Sequence, residues 1–152
     1  MDYITQQDNK INIEELLAEG TTVKVSPKGY SMYPLMVPGR DYAIIEPYKG
    51  GAKRCDVALF RRQGSILVIH RIYSKTDEGY FFVGDNQHEL EGPIKEEQIK
   101  GIMVCVERKG HMLSCSNVFY RMVYHIWLWM LPVRTPLRKF VAKVKLLITK
   151  KS

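Results

Sequence analysis

At 152 residues, with 45% hydrophobic and 26% charged side chains, the chain has the length of one domain with a single core and is too apolar to be disordered. Its net charge of +7 is unevenly placed: residues 1–107 carry 13 Lys+Arg against 16 Asp+Glu, a net of −3, whereas residues 108–152 carry 10 Lys+Arg and no acid. Three cysteines, Cys55, Cys105 and Cys115, without Cys-x-x-Cys spacing argue against a disulfide framework and a zinc site, and make a reducing compartment the default.

Residues 1–20 have neither a basic n-region nor an apolar h-region, so neither a signal peptide nor a spanning anchor is expected there. Within them, Ile13, Leu16 and Leu17 lie on one side and acids on the other over residues 11–20, with Gly20 as a stop, which predicts one short helix. Residues 21–25 alternate and are rich in β-branched side chains, a strand that delivers the chain to a turn around Ser31. Further strands are predicted at 42–46, 55–61, 65–73, 79–83, 99–108 and 111–115. Turn signals at Gln63-Gly64 and Lys109-Gly110 join two pairs of them as hairpins. Short strands with regular turns predict a mostly β body over 21–115.

Three polar residues in that body point to chemistry. Ser31 sits in Gly29-Tyr30-Ser31-Met32-Tyr33-Pro34-Leu35-Met36, between a residue free to adopt φ > 0 and one that pins its own φ. Apolar side chains at Met32, Leu35 and Met36 plug this turn into a core. His70 lies in Ile66-Leu67-Val68-Ile69-His70-Arg71-Ile72, where period-two alternation sets it on one face with Ile66, Val68 and Ile72. An imidazole with an ordinary pKa of ~6.5 is a general base for a serine hydroxyl near neutrality. Asp85, in Gly84-Asp85-Asn86, is a carboxylate able to orient such a base. Each has a plain structural reading as a turn serine, a core histidine and a turn aspartate. Together they make a Ser/His/Asp set, which only geometry defines.

The order of these segments resembles the signal peptidase I and LexA-like serine peptidase superfamily. Gly29-Tyr30-Ser31-Met32-Tyr33-Pro34 looks like its serine box. Arg54-Cys55-Asp56-Val57-Ala58-Leu59-Phe60 is similar to its Gly-Asp-Val-Val strand, Val68-Ile69-His70-Arg71-Ile72 to its base box, and Gly84-Asp85-Asn86 to its Gly-Asp-Asn box. Ile99-Lys100-Gly101-Ile102-Met103-Val104 resembles the strand that follows. Histidine where the bacterial and LexA types carry lysine places the resemblance with the endoplasmic reticulum, archaeal and spore-former type. It implies a coiled β-sheet fold, Ser31 as nucleophile, His70 as base and Asp85 as third member, with the Ser31 backbone N–H in the oxyanion hole. Met32 and Pro34 stand as substrate-binding positions, Glu89 and Glu91 as alternatives for a second acid. No cofactor or metal is implied. The substrate would be an extended peptide with small residues near the cleavage site, cut to release a leader or signal segment. The chain departs from the family in having neither an N-terminal spanning helix nor a DNA-binding domain ahead of Ser31.

The tail, 116–152, combines an aromatic run at 118–133 with a second predicted helix capped by Thr135 and Pro136. Its apolar stripe (Leu137, Phe140, Val141, Val144, Leu147, Ile148) opposes Arg138, Lys139, Lys143, Lys145 and Lys150. The run is short for a bilayer span of ~20 residues. It suits an amphipathic segment lying on an anionic membrane, which predicts peripheral attachment from the cytoplasmic side. The alternatives are helices packed on the β body or against a dimer partner. Nucleic acid is not expected, since no basic and aromatic pattern recurs in the β body. The rival to a peptidase is a non-catalytic peptide-binding or membrane-scaffolding module that keeps the fold.

Overall fold

The computed structural model describes residues 4–5, 12–62 and 66–133. The Gln63-Gly64 turn and the second tail helix lie outside these residues.

Among the described residues nine strands form one sheet: β1 (Ile4–Thr5), β2 (Val23–Val25), β3 (Asp41–Pro47), β4 (Val57–Arg61), β5 (Leu67–Thr76), β6 (Gly79–Val83), β7 (Glu91–Ile94), β8 (Ile99–Arg108) and β9 (His111–Ser114). Their order is β1-β2-β3-β8-β4-β5-β6-β7, with β9 also paired to β8. Every pairing is antiparallel except β1 with β2. The mostly β expectation holds. The alternation of polar and apolar residues sets the strands, and their order is set by which faces must be covered.

β4 shows this best. Val57 and Leu59 enter one core with Met32, Met36, Ala43, Ile45, Met103 and Val106, while Ala58 and Phe60 enter a second with Ile72, Tyr80, Phe82 and Ile94. A strand covered on both faces can be apolar throughout. Phe60 and Phe82 stack at 4.2 Å between centroids in the second core. β5 obeys the expected alternation: Val68 and Ile72 pack with the second core, Leu67 and Ile69 with the first.

Helix α1 (Ile13–Ala18) is capped by Asn12, whose side chain accepts from the Glu14 N–H at 3.2 Å, and buries Ile13 and Leu17. It stops at Gly20, at φ +90°. Helix α2 (Val118–Trp129) is capped by Asn117, which accepts from the Phe119 and Tyr120 N–H groups, and buries Tyr124 over Arg71 and Leu128 against Val83 and Leu131. No described helix is long and apolar enough to cross a membrane. Two strands escape the sequence pattern. β1 has only two residues, and β7 contains Gly92-Pro93, a pair that reads as a turn.

Candidate functional site

The Ser31 turn leaves β2 through Ser26–Lys28 and is held from three sides. Gly29 has φ +83°, a conformation open to glycine and strained for other residues. Met32 and Met36 are buried in the first core, as expected, whereas Leu35 is half-buried. The Met36 N–H donates to the Met32 carbonyl at 2.8 Å, and the Asn86 N–H donates to the Ser31 carbonyl at 2.7 Å. The Gly84-Asp85-Asn86 loop therefore clamps the serine's own backbone. Gly84 has to be small: a Cβ there would lie 2.7 Å from the Ser31 carbonyl oxygen and 2.6 Å from Gln87 Oε1.

Ser31 and His70 line one cleft of about 430 Å³, together with Met32, Lys28, Arg62 and Gln87. Its walls are the chain at 25–28 and the strand at 66–70. β5 pairs with β4 from Leu67 onward but with β6 only from Arg71, so among the described residues no strand covers its other edge at 67–70. The cleft thus offers extended backbone ready to pair. Pro34 lies elsewhere, on a separate groove beside Leu113 and Phe119.

His70 is 3% exposed, and its ring lies 6.2 Å from that of Phe60. Glu91 at the start of β7 approaches it: Oε2 lies 3.3 Å from His70 Nδ1, within ion-pair range but at an angle that leaves Nδ1 without a formed hydrogen bond. Arg62, just past β4, grips the same carboxylate through Nε and Nη2, the latter at 2.7 Å from Oε2. Burial pushes the imidazole below its ordinary value; Glu91 opposes this and the Arg62 charge adds to it. Burial would raise the Glu91 carboxyl, but the Arg62 hydrogen bonds and charge outweigh it and hold the acid below its usual range. A neutral imidazole beside an ionised carboxylate is the pairing a general base needs.

Asp85, the expected third member, is 1% exposed, and its carboxylate receives Nε and Nη2 of Arg71, both at 2.7 Å. Arg71 also donates to the Cys55 carbonyl at 2.8 Å and lies under the Tyr124 ring at 3.7 Å. Burial acts to lower the guanidinium pKa, but the Asp85 charge and hydrogen bonds overcome it and hold the guanidinium above its ordinary value. Of the two alternatives for a second acid, Glu89 is exposed and Glu91 faces the histidine. Arg62 is the residue the sequence reading passed over; its signal is positional only, an arginine one residue beyond an apolar strand. Helix α2 packs on the β body, as the alternative reading of the tail had it, and Trp127 Nε1 donates to the Asp85 carbonyl at 3.1 Å.

Comparison with protein-family models, curated proteins and solved structures finds no match to this chain. Among the described residues there is no cluster of three or more His, Cys, Asp or Glu side chains able to hold a metal ion.

Proposed function

We propose that the chain is a serine endopeptidase of the signal peptidase and LexA-like kind, with that superfamily's coiled β-sheet, which removes a leader or signal segment from a peptide or protein precursor. The observation that carries this reading is one cleft lined by Ser31 and His70, with the Glu91 carboxylate against Nδ1 of the imidazole. Glu91 favours the tautomer with hydrogen on Nδ1, which leaves Nε2 to take the serine proton. Ser31 Oγ attacks the scissile carbonyl carbon as its proton passes to His70. The oxyanion faces the Ser31 N–H, which among the described residues engages no acceptor. Collapse breaks the C–N bond, and His70 protonates the leaving amine. Water then loses a proton to His70 and attacks the acyl ester; the C–Oγ bond breaks, His70 returns the proton to Ser31 Oγ, and the new C-terminus is released.

The substrate adds as an extended strand to the outer edge of β5 at 67–70, across from Ser26 and Lys28. The Arg71–Asp85 pair serves beneath the site, fixing the loop whose Asn86 N–H holds the Ser31 carbonyl.

The test compares protein N-termini by mass spectrometry in cells making wild type or Ser31→Ala at matched levels. Specific N-termini present with wild type and lost with the variant are expected, and they name the substrates and the cleavage rule. On a purified substrate, Ser31→Ala lowers kcat by several orders of magnitude. Coinciding N-terminal profiles would leave a peptide-binding module as the better reading.

A further inference from the structure

Helix α2 presents opposite faces to two different surroundings. Its inner face packs on the sheet: Tyr124 lies over Arg71, Trp127 donates to Asp85, and Leu128 is buried against Val83. Its outer face carries Val118, Phe119, Met122, Ile126 and Trp129 at spacings of one, three or four, all half-exposed or more, with Phe119 at 69% and Trp129 at 76%, and Val133 just beyond it is also half-exposed. So large an apolar stripe left in water on one helix calls for an occupant. Through Phe119 it joins a groove of about 560 Å³ lined by Met112, Leu113 and Pro34, so the apolar surface runs from the helix to the turn that carries Ser31.

We infer that the outer face of α2 docks on an anionic membrane surface, with its apolar and aromatic stripe in the headgroup region. Charge selects this occupant. Residues 134–152, directly after the stripe, carry seven Lys+Arg and no acid, and Arg121 stands exposed beside it. A second copy would set like charges against each other. A bilayer with anionic lipid meets both the apolar and the cationic feature, and Trp at the boundary is the side chain that headgroups accept best. Docking in this way puts the Pro34–Leu35 end of the Ser31 turn next to the membrane. That orientation rests on the peptidase reading, but the docking itself does not.

Removing the tail is a poor test, because it also strips Tyr124 and Trp127 from Arg71 and Asp85. Substitution of outward residues is cleaner. The chain's two tryptophans, Trp127 and Trp129, both lie on α2, so intrinsic fluorescence reports on this helix alone. The full chain is mixed with phosphatidylcholine vesicles, with and without about a third phosphatidylglycerol, and followed by flotation and Trp emission. Expected are flotation and a blue shift on the anionic vesicles, weakened by salt. Phe119→Glu/Ile126→Glu, which keeps both tryptophans, lowers the bound fraction at least roughly ten-fold at unchanged Tm, as burying two carboxylates in the interface demands. Ser31→Ala floats like wild type, so a failed peptidase assay and a failed docking remain distinct. The inference is overturned if wild type does not float, if the double variant floats equally, if emission shifts with protein concentration in the absence of lipid, or if duplex DNA competes the protein off the vesicles.

Discussion

Burial pushes the His70 imidazole below its ordinary 6.5, Glu91 draws it back up, and Arg62 pushes it further down. The balance sets two pH dependences. On the proposed peptidase mechanism, the acid limb of kcat/KM is expected below pH 6.5. Glu91→Gln removes the upward pull, so the limb moves to lower pH and kcat falls by roughly 10²–10⁴-fold as the imidazolium loses its counter-charge. Arg62→Gln removes a downward push and moves the limb to higher pH. A pH series of kcat/KM on the three proteins checks all of this, and a limb that does not move with either substitution removes Glu91 and Arg62 from the mechanism. In stability, the sign follows from proton uptake. The unfolded chain binds the His70 proton before the folded one does, so stability is lost as pH falls below about 6.5. Glu91, also depressed, contributes stability that is present above about 4.5 and lost as pH falls through its folded value.

At the scale of elements, the site is a contact between two loops and one strand. The 84–86 loop leaves β6 and touches the Ser31 turn backbone to backbone, with a hydrogen bond at 2.7 Å and no room for a methyl group at Gly84. Gly84→Ala has to displace the Ser31 carbonyl, a backbone atom, because it cannot swing away as a long side chain would. A shift approaching 1 Å at a nucleophile costs on the order of 10²-fold in rate. The expected outcome is that loss in kcat with circular dichroism unchanged; kcat within a factor of about two of wild type would show that the clamp does not position the serine.

At the scale of the molecule, α2 belongs to the fold as well as to its surface. Tyr124, Leu128 and Leu131 are each less than a tenth exposed, and each contributes roughly 1.5–3 kcal/mol by leaving water. Their sum is comparable with the ~5–15 kcal/mol that holds a domain together. A chain ending at residue 115 is therefore expected to lose most of its cooperative unfolding transition, read in denaturant by fluorescence-independent circular dichroism. A truncated chain with a wild-type midpoint would show that α2 is an appendage.

What the sequence determined by itself was local. Alternation and turn residues placed β3, β6 and β8 nearly to the residue, a Gly stop ended α1, and each of the segments around Ser31, His70 and Asp85 was readable because its residues are neighbours in the chain. Tertiary structure alone decided the partners. Asp85 faces Arg71 and Glu91 faces His70, although either acid could have served the histidine on the sequence, because adjacent residues of β5 point to opposite faces and each face meets a different loop. The edge strand β1 and the Gly-Pro strand β7 gain their place from pairing rather than from pattern, and the inner face of α2 is fixed by the sheet it covers. Pairing across strands depends on register, and a slip of one residue reverses every side chain. The packing of two cores against one sheet, which no local stretch encodes, is what holds that register.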